Sequence, residues 1–122
     1  MLIASAELPP NPSSVGAACD LVGRVTDSLP RRAREAAELV ASELATNCVV
    51  HAGTDFQVFA AVDDDTVEVV VSDRAGWSAN DSSRSGHGLL LVGLLASAWA
   101  AEAENGGKRV WARLVVDDVP IS

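Results

Sequence analysis

The chain has 122 residues, a net charge of −8 and 48% hydrophobic residues, which suits one folded domain spanning 1–122 with a real core and not a disordered segment. A sequence pI near 4.5 excludes a broad electrostatic grip on nucleic acid or on an anionic membrane. The longest apolar run, Leu89 to Ala101, includes Gly93 and Ser97 and falls short of the roughly 20 residues of a bilayer span. The start MLIASAELPP lacks the basic and apolar regions of a signal peptide, so the expected location is the cytoplasm. Cys19 and Cys48 lie far apart beside small apolar residues, and both are expected to be buried, reduced thiols.

Taken in order, Leu2 to Leu8 reads as a short edge strand or extended arm, ended by Pro9, Pro10 and Pro12. Asn11 before Pro12 looks like an N-cap with proline at the first helical position. Val15, Ala18, Val22, Val25 and Leu29 then recur at helical steps and predict a first amphipathic helix. A second helix runs from Arg31 to a stop at Gly53, a residue suited to the left-handed position after a helix. Phe56 to Val62 and Val67 to Ser72 are β-branched runs joined by the acidic turn Asp63-Asp64-Asp65, the pattern of a hairpin.

From Arg74 to His87 the periodicity is lost in a long polar loop, a kind of segment that is often functional. Gly88 opens a third helix, LLLVGLLASAW, whose all-round apolar character predicts burial. A hairpin turn follows at Asn105-Gly106-Gly107; beyond it Val110, Ala112 and Leu114 alternate with Arg109, Trp111 and Arg113, and Glu102 and Glu104 face the basic positions. The expected fold is α+β: a two-layer α/β sandwich, with about three helices on one face of a largely antiparallel mixed sheet.

Within the second helix Glu43, Asn47 and His51 fall at i, i+4 and i+8 on one face. The wheel places them among Ala36, Val40 and Leu44 on one edge and Leu39 and Val50 on the other, where polar groups need partners. A neutral amide oxygen at Asn47 suits a Mg²⁺ that keeps waters and substrate phosphates, and a carboxylate one turn away can act on an incoming hydroxyl. The same pair also fits a buried Asn bonded to a loop with a Glu at the rim. Asp73, at a strand end, only accepts hydrogen bonds, which suits the exocyclic amine of adenine and repels a keto oxygen; it equally suits a turn-starting Asp bonded to its own backbone. Gly86-His87-Gly88-Leu89, before a helix, is either a phosphate cradle, with Arg84 and His87 as cationic contacts, or an ordinary turn. His51 is expected to serve structure.

The segments ELATNCVVHA, VVVSDRAGW, SGHGLLLVGLLASAW and GGKRVWARL resemble the boxes of the histidine-kinase-like ATPase superfamily, from the first strand to GGKRVW. The likeness is nearest to small bacterial anti-sigma-factor serine kinases. That resemblance implies the Bergerat ATP-binding fold, ATP with Mg²⁺ as cofactors, Asn47 as metal ligand, Glu43 as general base and Asp73 on the adenine amine. It also implies nucleotide contacts from Gly76, Arg84, His87 and Leu89, with Gly86 and Gly88 around the phosphates. A sigma factor or a small antagonist phosphorylated on serine would be the partner, and a homodimer is reasonable. Where the family box reads Asp-x-Gly-x-Gly, Ala75 and Trp77 hold the two glycine places, and His87 stands where relatives often carry Arg. These departures suit an alternative, a protein-binding module of the same fold with weak or no nucleotide binding.

Overall fold

A computed structural model of the chain describes residues 1–75 and 86–119, with the backbone alone at 86–89. Strand β1 (Leu2–Leu8) is followed by helices α1 (Ser13–Val25) and α2 (Arg31–Asn47) and by a π-helical turn, Cys48–Ala52. Strands β2 (Phe56–Asp63) and β3 (Thr66–Asp73), helix α3 (Gly86–Leu95), strands β4 (Ala98–Glu104) and β5 (Gly107–Val115) and a 3-10 turn, Val116–Asp118, complete it. The sheet order is β1-β2-β3-β5-β4. Every neighbouring pair is antiparallel, so the sheet is antiparallel throughout and not mixed.

Period-two alternation decides which side of the sheet the helices cover. Phe56, Val58, Ala60 and Val62 of β2, Val67, Val69 and Val71 of β3, and Val110, Ala112 and Leu114 of β5 are all buried. They meet Ala18, Leu21 and Val22 of α1 and Ala37, Val40, Ala41 and Leu44 of α2 in one core. The fully buried alanines let the helices approach each other closely, while Val40 and Leu44 fill the space down to the strands. The result is the two-layer α+β sandwich that the alternating and helical periods predict.

Several boundaries differ from the sequence expectation, each for a local reason. Pro12 takes the cap position of α1 with helical backbone angles, and Asn11 accepts the Ser13 hydroxyl on its side-chain oxygen without capping a backbone amide. Leu29 lies beyond α1, which ends at Val25, and is half-buried in the following turn. Each strand of the first hairpin is extended, so the turn narrows to Asp64 and Asp65, with Asp64 at φ 54°. The third helix stops at Leu95 and does not reach Trp99: the Ser97 N–H donates to the Arg113 carbonyl at 2.8 Å, and the chain joins the sheet as β4. Nor is α3 buried all round. Leu90 and Leu94 are 65% and 66% exposed, because a single helical layer leaves its outer side uncovered, whereas Val92 is sealed against the core.

Candidate functional site

Helix α2 carries Glu43 and Asn47 one turn apart, both half-buried, at the edge of its core-facing stripe. Leu39 and Val50, expected to wall this line on its far side, are 41% and 65% exposed, so the line borders solvent and not a closed apolar arc. Among the described residues, the side chains of Glu43, Asn47 and His51 have no hydrogen-bonded partner. The α-helical phase ends at Asn47. Beyond it the Gly53 N–H reaches back five residues to the Cys48 carbonyl at 3.3 Å, and Gly53 closes the turn in the left-handed region at φ 68°. This wider turn rotates His51 off the α-helical line, and such turns recur at functional sites.

The end of α2 also brings Cys48 to the end of β3. Its Sγ lies 3.6 Å from Oδ2 of Asp73, which places the turn after Asn47 directly against the strand-end carboxylate. Asp73 follows the inward parity of Val67, Val69 and Val71, and its side chain is only 1% exposed. Oδ1 accepts the Ala75 N–H at 2.9 Å, the Asx turn expected of an Asp in this position. Opposite it in the β3–β5 register stands Lys108, whose Nζ is 4.0 Å from Oδ2 with the side chain 10% exposed. A buried carboxylate with a cation and two further donors around it is well compensated. Burial first, then the Asp73 charge, pushes the Cys48 thiol up to about 12, partly offset by Lys108. Cys48 is therefore a protonated donor at neutral pH.

Gly107 closes this corner from behind. A Cβ there would lie 1.9 Å from the Asp73 carbonyl oxygen and 2.9 Å from the Arg74 Cα, so only glycine lets β5 approach the end of β3. Sequence reasoning misses Cys48, Gly107 and Lys108 as members of the site. One signal for the lysine is present: counting back from Val110, Ala112 and Leu114 puts Lys108 on the buried parity of β5.

The other named residues fall as follows. Gly86, His87, Gly88 and Leu89 form the first turn of α3 in backbone terms, so the glycines lie inside the helix and not in a turn before it. Their side chains, together with Gly76, Trp77 and Arg84, lie outside the described residues. Of the two cysteines only Cys48 is buried. Cys19 is half-buried at the α1–α2 contact, its thiol held up by burial and by Glu38. Trp111 is half-buried on the outer sheet face and donates from Nε1 to Glu102 at 2.7 Å. Arg109 pairs with Glu102 and Glu104, while Arg113 turns instead to Glu68 at 3.6 Å.

The donor set fits a nucleotide with its metal. Asp73 offers an acceptor for an amine at the sheet, and one helical turn offers the hard oxygens of Asn47 and Glu43 toward solvent. Among the described residues no group of three or more His, Cys, Asp and Glu side chains is placed to hold a metal ion. An ion at Asn47 would accordingly draw its remaining ligands from phosphates and water, as Mg²⁺ commonly does.

The fold is a two-layer α/β sandwich, with a carboxylate at a strand end and an Asn-bearing helix beside it. The sequence matches the profile of the histidine kinase-like ATPase domain over residues 8–114, and the chain belongs to that family. Membership implies ATP binding. No curated protein matches the sequence. Among the described residues no helix is long and apolar enough to cross a membrane.

Proposed function

We propose that this chain is a cytoplasmic regulatory protein of the anti-sigma-factor kinase type, which binds ATP with Mg²⁺ and transfers the γ-phosphoryl group to a serine or threonine of a partner protein. The observation that supports this reading is the 3.6 Å contact between Cys48 and Asp73, which brings the end of the Asn47 helix against the strand-end carboxylate. Asp73 accepts the exocyclic amine of the base. The Asn47 amide oxygen would hold Mg²⁺, which when bound would neutralise charge on the phosphates. Glu43 orients the incoming hydroxyl and takes its proton as the oxygen attacks the γ-phosphorus and the bond to the departing ADP oxygen breaks. The backbone at Gly86 and Gly88 opens α3, and a helix N-terminus favours the phosphate charge.

A sigma factor or an antagonist of the anti-sigma factor is the proposed partner, and a homodimer the proposed assembly. The test titrates Mg-ATP into wild type and Asn47→Ala by calorimetry, with and without chelator, and follows labelled phosphate onto candidate partners. Metal-dependent binding that the substitution abolishes, together with transfer to serine or threonine, is the expected result. Binding indifferent to both chelator and substitution would remove Asn47 as the metal ligand.

A second reading is a protein-binding module of the same fold with little nucleotide affinity. It is favoured by the partners Asp73 already has, since Ala75, Cys48 and Lys108 stand around its carboxylate. Partner binding unaffected by any nucleotide would select it.

A further inference from the structure

Sites that recognise a donor on their ligand reject analogues lacking it because a buried acceptor is then left unpaired, and such a loss reaches about 10⁴-fold. That penalty is largest where the acceptor has no other partner before the ligand arrives. Asp73 has partners already. Its side chain is 1% exposed, Oδ1 accepts the Ala75 N–H, and Oδ2 faces both the Cys48 thiol and the Lys108 ammonium.

These partners do not depend on a ligand. Lys108 is held opposite Asp73 by the antiparallel register of β3 and β5, and Cys48 by the end of α2, where its N–H still reaches the Leu44 carbonyl. The second ground for discrimination, repulsion between a carboxylate and a keto oxygen at the same purine position, is weakened too. A cation 4.0 Å from Oδ2 offsets the negative potential there.

We propose that Lys108 is a specificity-determining residue that stands in for the purine 6-amino group at Asp73, so that this chain takes 6-oxo purine nucleotides nearly as well as 6-amino ones. This rests on the reading of Asp73 as the base-recognition residue. It extends that reading from ATP to purine nucleoside phosphates as a class, and makes Lys108 the residue that sets the choice between them.

The experiment compares Mg-ADP with Mg-IDP, the 6-oxo counterpart, by calorimetry on wild type and on Lys108→Met, with unfolding temperature recorded for each. In wild type the ratio of the two Kd values is expected to stay below about tenfold, and in Lys108→Met to rise above about 100-fold as Asp73 comes to rely on the amine. Should Lys108→Met not fold, the wild-type ratio decides alone. A wild-type ratio above about 100-fold, or a ratio unmoved by Lys108→Met, overturns the proposal while leaving nucleotide binding intact. Binding of neither nucleotide overturns both.

Discussion

Asp73 is enclosed at the end of a central strand with two protein donors and a cation around its carboxylate, whereas Glu43 and Asn47, on the helical turn just before Cys48, stand half-exposed without a side-chain partner among the described residues. The two regions touch through Cys48 and are built on opposite terms. The strand-end corner belongs to the core: it is satisfied by the protein, fixed by sheet register and sealed by a glycine. The helical line is left incomplete, with oxygens available to an ion and a hydroxyl. One region is thus rigid and the other open, and substitutions in the two should show up in different measurements.

The comparison breaks first at Gly107. Gly107→Ala drives a methyl group into the Asp73 carbonyl, and should lower the unfolding free energy by more than about 3 kcal/mol in urea titration, or prevent folding. An alanine variant of near wild-type stability would show that β5 can retreat and that the corner is softer than argued. Next, Asp73→Asn keeps an acceptor for Ala75 but removes the charge beside Lys108, and should cost about 2 kcal/mol in the same assay.

Alkaline titration probes the corner more gently. The Cys48 thiol has its folded value raised from 9.0 to about 12, so the folded chain keeps a proton there that the unfolded chain gives up. Its contribution to stability is whole below pH 9 and falls as pH rises toward 12, by at most about 1.4 kcal/mol per pH unit. Cys48→Ser should flatten that slope in thermal unfolding measured at stepped pH. Smallest in stability, Asn47→Ala should shift unfolding by no more than about 0.5 kcal/mol while removing metal-dependent nucleotide binding. A large stability loss there would place Asn47 with the corner and erase the distinction.

Much of the fold was legible because each layer writes its own period. Strands β2 and β3 announce themselves by apolar residues at every second place and α2 by alanines and leucines at three- and four-residue steps. The junction of α3 and β4 was not legible. Leu89 to Ala101 is apolar apart from Gly93, which lies inside the helix, and Ser97, and such a run does not say where a helix gives way to a strand. What ends the helix is tertiary, the claim of Arg113 on the Ser97 amide. The π turn after Asn47 was equally hidden, since residues 48–52 continue the helical composition and the change lies only in which carbonyl Gly53 reaches. At the site, Glu43, Asn47 and Asp73 stood out because they are polar groups in apolar runs. Lys108 did not, since a lysine after a Gly-Gly turn looks like a solvated hairpin residue until strand parity is counted from Val110.

The missing side chain at Gly107 acts as a check on how the sheet is assembled. If β5 slipped by one residue in one direction, Lys108 would occupy the glycine's place and its Cβ would collide with the Asp73 carbonyl. A slip in the other direction would leave Gly107 facing Asp73, strand the carboxylate without its cation, and turn Val110, Ala112 and Leu114 out of the core. Both misalignments are therefore rejected at one corner, where Gly107, Lys108 and Asp73 meet. The chain checks its own strand pairing there.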